Sequence, residues 1–527
     1  MSDTSTERTK TFVLTMPLRY SEGQREFLDK QFQAANNLYN ALIEAEKNQL
    51  HEVMQSESWA VLMNLRGQFL ALAEEVGMLP DIKRALRNVG MFRRRLLQNA
   101  GFSKYSFKSQ MLAIRRADPE SSGLIDSHVA QKIADSVWQM FEKYLYGNGK
   151  HLSFRPWTEC RSIEGNDNKR MLSVKRKGVL YIKRNLELRI GRPHTDYERE
   201  AMEHRIKYCR LIRIPWKKGW LYKVQLVLEG TPPQKRHGNA LGSGPVGLDI
   251  GTQTIAAAGE QDTALELLAP GAEDVWQELR RVNRAMDRSR RANNPDVFAA
   301  DGTILPKNKR PPDATDENGR IRWKDSRNYR RLADRRRYLY AKTVRTRRCE
   351  HQRLANEIMR YGDTFFVEKM NFQALAKRAS PPKEQTPGDK PRRRKRFGKS
   401  VANRAPALFV DILEAKVVLQ GGTFVRIETA KAKASQYTHT DKAYHKSKLG
   451  QRTKTLELNG RQVVVQRDLY SAFLLMNTND THDGFVQERC EAAFGHFLEM
   501  HNETIRALEE IPGLPQSMGI RRLRTAV

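Results

Sequence analysis

The sequence predicts a multidomain α+β protein whose C-terminal half is an α/β region. Three observations predict it. At 527 residues the chain is too long for one compact core, and 39% hydrophobic residues suffice to build several. Its texture changes from helical spacing, up to about residue 145, to alternating runs between 149 and 229, and then to short apolar strands among helices. A Pro- and Gly-rich stretch, 230–244, separates the second texture from the third. The domain boundaries that follow are 1–20, 21–147, 148–235 and 236–527.

The first element is a strand, Thr11-Phe-Val-Leu-Thr-Met-Pro-Leu18, closed by Pro17, which lacks the N–H that a ladder uses. Ser21 opens a helix whose apolar face carries Phe27, Leu28, Phe32, Ala35, Leu38, Tyr39 and Leu42. Basic residues interrupt the helical pattern at Lys83, Arg84 and Arg87, and again at Arg93, Arg94 and Arg95. Alternating runs starting at Leu172, Val179, Leu186 and Trp220 read as antiparallel strands with one wet, basic face. Two segments rich in Pro, Gly and charge, 293–319 and 379–399, predict no regular structure; the second contains Arg392-Arg-Arg-Lys-Arg396. No internal repeat is read.

The balance of 93 Lys+Arg against 61 Asp+Glu gives a net charge of +32 and a pI near 10.0. Self-repulsion of that size implies a polyanionic partner, because the positive charge is clustered rather than spread. A membrane partner is not expected: no run approaches the ~18 apolar residues of a spanning helix, and residues 1–8 are too polar for a signal peptide. Cys160, Cys209, Cys349 and Cys490 lie far apart with no CxxC pair, which argues against a zinc ribbon or a disulfide scaffold and for a reducing cytoplasm.

Three acids stand out against their surroundings. Pro245-Val-Gly-Leu-Asp-Ile-Gly-Thr252 places Asp249 inside an apolar strand, where a lone carboxylate needs a cation or a donor network. One such residue is more often a hydrogen-bonded structural acid than a ligand. Two further instances alter that balance. Glu368 ends the strand Thr364-Phe-Phe-Val-Glu368, and Asp468 follows Val463-Val-Val465 at the start of a helical run. Acids this far apart meet only if their strands pair or a helix abuts them. RNase H-like folds achieve this, gathering carboxylates around two hard cations roughly 4 Å apart. Oxygen-only donors suit magnesium.

These residues, in this order, resemble the RuvC-like nuclease domain of TnpB proteins and of the compact type V CRISPR effectors. Val246-Gly-Leu-Asp-Ile-Gly resembles the first motif of that family. The stretch from Arg347 through Phe366-Val-Glu-Lys-Met-Asn-Phe372 resembles its bridging helix and second motif, and Arg467-Asp-Leu-Tyr-Ser-Ala472 its third. The resemblance implies an RNase H-like (RuvC) α/β nuclease domain, preceded by a β-barrel-like wedge domain into which a helical recognition lobe is inserted. It further implies a magnesium-dependent RNA-guided DNA endonuclease, acting with a guide RNA on double-stranded target DNA; a monomer rather than a dimer is expected on each guide, though the residues themselves leave the oligomeric state open. Asp249, Glu368 and Asp468 would be its catalytic residues and the ligands of two Mg2+ ions, with Mn2+ able to substitute.

The chain departs from that pattern between its second and third acids. Ala434-Ser-Gln-Tyr-Thr-His-Thr-Asp441 keeps a Ser-Gln, but Thr438 and Asp441 stand where a first Cys pair belongs, and a second pair is missing. A hairpin with an Asn459-Gly460 turn fills 455–466, so the insertion near 430–466 is expected to be zinc-free. Tyr470 occupies a position where Asn is typical. His351, His439 and His445 read as ordinary polar or phosphate-facing residues. A helix-compatible run interleaving basic and aromatic residues, 322–337, supplies candidate nucleic-acid contacts: Arg322, Lys324, Arg327, Arg330, Arg331, Arg335, Arg336 and Arg337, with Arg467 beside the third acid. Two alternatives stay open: an RNA-guided repressor that binds without cutting, and an RNase H-like recombinase or resolvase that works without RNA.

Overall fold

Every second residue of β1 (Thr11–Arg19) is buried, as the two-residue period of a half-buried strand demands. Pro17 does not close this strand. It pairs with Lys223 on one neighbouring strand, while Leu18 and Arg19 pair with Ile190 and Arg189 on another; its missing N–H falls where β1 passes between partners. The coordinates, a computed structural model, describe residues 10–147, 149–176, 178–183, 186–217, 219–233, 240–317, 319–377, 397–446, 450–458 and 460–520. Contacts divide the chain into two units, Met1–Arg236 and His237–Val527.

In the first unit, β1 leads into helices α1 (Glu22–Gln55), α2 (Glu57–Val76), α3 (Pro80–Asn99), α4 (Lys104–Ala117), α5 (Pro119–Leu124) and α6 (Ser127–Tyr146). Ser21 caps α1 through a capping box with Gln24, and Leu28, Phe32, Ala35, Leu38 and Leu42 are buried along one face. There follow β2 (Ser162–Glu164), β3 (Leu172–Arg176), β4 (Val179–Ile182), β5 (Leu186–Ile190), α7 (Asp196–Ala201), β6 (Ile206–Trp216) and β7 (Gly219–Glu229). Among the described residues these strands form one antiparallel sheet ordered β2-β6-β7-β1-β5-β4-β3, curled so that β3 packs across β6. β6 is absent from the runs read above because its buried side carries a charge. The Arg213 guanidinium is enclosed by the rings of Phe32, Trp157 and Trp220 at 4.6, 3.8 and 4.2 Å, and its Nε donates to the Cys160 carbonyl at 2.6 Å.

The second unit opens with an antiparallel meander, β8 (Pro245–Ile250), β9 (Thr254–Ala258) and β10 (Thr263–Leu267). Helices α8 (Gly271–Asn293) and α9 (Arg327–Ile358) pack along each other through Val275, Leu279, Val282, Tyr338 and Leu339. β11 (Thr364–Glu368) then runs parallel to β8. After α10 (Phe372–Ala376), α11 (Phe397–Arg404) and α12 (Pro406–Leu419), β12 (Thr423–Ile427) runs parallel to β11. The sheet order is β10-β9-β8-β11-β12. Next come α13 (Thr429–Ala432), the hairpins β13 (Tyr437–Thr438) with β14 (Ala443–Tyr444) and β15 (Thr453–Leu458) with β16 (Arg461–Gln466), and helices α14 (Arg467–Met476) and α15 (Gln487–Glu509). One face of the sheet buries Val246, Leu248, Phe365 and Val367 against the end of α9 and against α12. The other buries Ala256, Ala258 and Leu265 against α14 and α15. The protein is thus mixed α+β and multidomain, with helices on both faces of the second unit's sheet.

Three expectations are corrected here. The basic run 322–337 is not one helix: α9 begins at Arg327, capped by Ser326, and Arg322 and Lys324 precede it in extended backbone. From there the helix runs unbroken to Ile358, joining the 322–337 run to the bridging-helix stretch. Secondly, the described residues of the segment 293–319 form short 3-10 turns, and the segment holds a repeat. Pro295-Asp-Val-Phe-Ala-Ala-Asp-Gly-Thr-Ile304 and Pro312-Asp-Ala-Thr-Asp-Glu-Asn-Gly-Arg-Ile321 share Pro, Asp, Gly and Ile at matching places. Each opens with a 3-10 turn, Pro295–Val297 or Pro312–Ala314, and closes with an antiparallel bridge, Phe298 to Ile304 or Thr315 to Ile321. Gly302 (φ 79°) and Gly319 (φ 69°) occupy equivalent left-handed positions. Arg310 ties the copies together through the carbonyls of Leu305 (2.8 Å) and Gly319 (3.0 Å). Thirdly, the predicted hairpin starts at Thr453, not Thr455. Asn459 and the run Arg392–Arg396 lie outside the described residues.

Candidate active site

Asp249 and Glu368 are brought together by strand register. β8 and β11 pair in parallel with Val367 opposite Leu248, so the next residue on each strand is an acid, on neighbouring strands about 4.8 Å apart. Both acids point away from the Leu248 and Val367 side, toward the face that α14 covers. A glycine lets α14 sit there. A Cβ on Gly247 would collide with the Ala472 carbonyl and with the Met476 amide, so only Gly lets the helix backbone rest on the strand. Asp468 lies one helical turn before Ala472, and Asp249 lies two residues after Gly247 on the same strand face. The contact therefore directs Asp468 toward Asp249.

The start of α14 is locked from several sides. The Gln466 side chain caps it, accepting from the Leu469 N–H at 2.7 Å, and donates to the Met518 carbonyl at 3.1 Å. The Gln466 N–H donates to His501 Nε2 at 2.9 Å. Asp468 sits in the first turn, where the helix dipole favours negative charge.

Electrostatics tie the three acids into one site. The Asp249 carboxyl is pushed well above its ordinary range, first by burial, then by the negative charges of Asp468 and Glu368; Arg467 and a hydrogen bond with Ser471 pull the other way. Burial also raises Glu368, opposed by the Ala434 N–H, which donates to its Oε1 at 3.0 Å. Asp468 is answered by cations. Arg467 Nη2 reaches its Oδ1 at 3.0 Å, and Arg452 Nη1 reaches its Oδ2 at 3.3 Å.

The donors themselves decide whether divalent ions suit this place. All are hard carboxylate oxygens, and the negative charge of Asp249, disfavoured by burial and by its acidic neighbours, is one a cation would offset, so the residues fit magnesium or manganese in kind. They are not drawn up as a closed cage: among the described residues no three Asp, Glu, His or Cys side chains form a group placed to hold a metal. Both Asp468 oxygens are turned to guanidinium groups instead.

Other sequence-named residues fall elsewhere. Arg322, Lys324, Arg327, Arg330, Arg331 and Arg335 are exposed; Arg336 and Arg337 are half-buried. Arg335 pairs with Glu278 of α8, and Arg337 with Asp334 at 2.9 Å. Between β12 and β15, Thr438 is buried, and Asp441 accepts from His445 at 2.6 Å. His439 is buried against Phe473 and Phe494, with the Tyr470 hydroxyl 2.7 Å from its Nδ1. His351 Nε2 bonds the Arg404 carbonyl at 2.8 Å, so it too is structural. Gly247, Ser471 and Arg452 were not singled out in the sequence. Gly247 lies inside the first motif and Ser471 inside the third, but nothing marks Arg452, whose role depends on the β15–β16 hairpin folding back to α14.

The chain is similar to solved Cas12f complexes, compact type V CRISPR effectors. One is a Cas12f1–sgRNA–target DNA complex determined by cryo-EM, at 10% identity and a TM-score of 0.40, covering 89% of this chain and 99% of the other. The second is a CRISPR–Cas12f ternary complex, at 11% identity and a TM-score of 0.25, with the same coverage. No family model and no curated protein sequence matches the chain. No helix among the described residues is long and apolar enough to cross a membrane.

Proposed function

We propose that the protein is an RNA-guided DNA endonuclease related to TnpB and the compact type V CRISPR effectors. In this reading the second unit is an RNase H-like (RuvC-like) domain, and the curled sheet and helices of the first are a wedge domain with its inserted recognition lobe. One observation carries the proposal: two acids at matching register on parallel strands face a helix whose first turn bears a third. That strand order, three antiparallel strands followed by two parallel ones on the far side of the first, suits such a domain. The charge of +32 fits a guide RNA and a target duplex, held largely by their phosphates.

Asp249, Glu368 and Asp468 are the residues that would hold two magnesium ions. When bound, such ions activate a water and neutralise charge on the leaving oxygen of a phosphodiester. The chain's own residues do the rest. The Ala434 N–H orients Glu368, and the Gln466 cap fixes the start of the helix that presents Asp468.

A guided binder that does not cut is the second reading, favoured by the two arginines on Asp468. Expressing the protein with its flanking locus, sequencing the bound RNA and presenting matched duplex DNA with magnesium separates the readings. Cleavage by the parent, with binding but no cleavage by Asp249→Ala, is the expected result. Equal cleavage by the variant overturns the site assignment, and an RNA-free preparation active on branched DNA would establish a resolvase instead.

A further inference from the structure

Arg452 reaches the acid site from outside the three motifs, and its backbone is fixed there. Its carbonyl accepts from the Arg467 N–H at 2.9 Å, the adjacent Gln451 carbonyl accepts from Arg467 Nη1 at 2.7 Å, and Gly519 packs against its Cβ. From this anchored start of β15 the side chain reaches Asp468 Oδ2, while Arg467 takes Oδ1, so one carboxylate has both oxygens occupied by separate guanidinium groups. Asp468 is 11% exposed and Arg452 26%, so this pair is better shielded from water than an ordinary surface ion pair. Like guanidinium groups repel each other at such range, and they gather only where negative charge holds them.

We propose that Arg452 is a resting counter-ion of the acid site: it occupies Asp468 in the free protein and turns to a backbone phosphate when a nucleic-acid strand arrives. The proposal rests on the cation-dependent reading above and deepens it. Guanidinium groups pair well with either carboxylate or phosphate, and a strand entering the site offers phosphates to the same face. The exchange frees Asp468 Oδ2 for a cation shared with Asp249 and Glu368, while Arg467 keeps Oδ1. Cation loading then follows substrate arrival, which keeps the centre from assembling without a strand in place.

The test is a Mn2+ titration, followed by electron paramagnetic resonance, of the full-length protein stripped of nucleic acid by high salt. The parent, Arg452→Gln, Arg452→Lys and Asp468→Asn are compared, with and without a ten-nucleotide oligothymidine. Loss of one shielded ion pair is expected to tighten Mn2+ binding by Arg452→Gln about fivefold over the parent, the size of a ~1 kcal/mol interaction. Oligothymidine should tighten binding to the parent and leave Arg452→Gln nearly unchanged. Arg452→Lys, which keeps the charge, should resemble the parent, and equal thermal midpoints show that all variants are folded. Equal affinity of parent and Arg452→Gln, with both weakened by Asp468→Asn, overturns this inference and leaves the cation reading standing. Absence of any binding sensitive to Asp468→Asn overturns both.

Discussion

The Ala472 carbonyl oxygen occupies the space that a side chain on Gly247 would need, so the α14 backbone lies directly on the β8 backbone. This contact sets the height of the helix above the sheet, and the helix carries Asp468 at its other end. Gly247→Ala should therefore lower the stability of the second unit by about 3 kcal/mol, the upper range for overpacking, because the obstacle is backbone. Hydrogen exchange of the α14 amides measures it. Unchanged protection there would contradict the contact.

Tyr470 stands where the family resemblance places Asn, and its hydroxyl links the third motif to the insertion. It accepts from the His439 N–H at 3.0 Å and bonds the His439 ring. Tyr470→Phe strands a buried N–H, a loss of about 2 kcal/mol. Urea unfolding of the variant should show a lower midpoint with an unchanged slope.

Two buried groups predict opposite pH responses in the two units. Burial pushes the His439 imidazole down from 6.5 to about 4, so the unfolded chain takes up its proton first, and stability falls as pH drops from 6.5 toward 4. Glu46 on α1 is buried with Oε2 unpartnered, and burial raises its carboxyl from 4.5 to about 7. Here the folded state keeps the proton longer, so stability falls as pH rises from 4.5 to about 7. Urea unfolding of each unit followed against pH, by hydrogen exchange, should show each contribution as a difference in slope between the parent and a variant at that residue, since the raised Asp249 and Glu368 carboxyls oppose His439 in the second unit. Glu46→Gln should remove that residue's contribution in the first unit, and a variant that kept it would contradict the assignment.

Arg213 predicts a large stability effect in the first unit. Its guanidinium is wholly buried among three rings and donates to the carbonyls of Trp157 and Cys160. Arg213→Ala opens a cavity and strands both carbonyls, and should destabilise the unit by at least about 3 kcal/mol in thermal unfolding. A change below 1 kcal/mol, about the value of an exposed pair, would show that the cage contributes little.

What the sequence made legible follows from the range of the interactions involved. Asp249 and Glu368 could be read because each breaks or ends an apolar run, and Asp468 because it opens a helical run just after the strand Val463-Val-Val465. The strands at Leu172, Val179, Leu186 and Trp220 showed their alternation plainly. β6 did not, because Arg213 places a charge on its buried side, and only the cage of rings explains it. The repeat at 295 and 312 shares few identities, and its likeness lies in turn hydrogen bonds. Pro17 does not stop β1, because its tolerance depends on which strand pairs on each side, which the local sequence does not show. Arg452 is positioned by a hairpin returning to α14, and no local pattern marks such a meeting.

The central claim is that the three acids act as one centre, and non-additivity tests it most directly. Rates of cleavage of guide-matched duplex DNA should be measured for Asp249→Asn, Glu368→Gln, Asp468→Asn and their pairwise combinations, each checked for retained binding. Each single variant should lose at least about a thousandfold in rate, and the double variants should fall no further, as groups acting as a unit do. A single variant that cuts at the parent rate, or losses that multiply independently, would contradict the account.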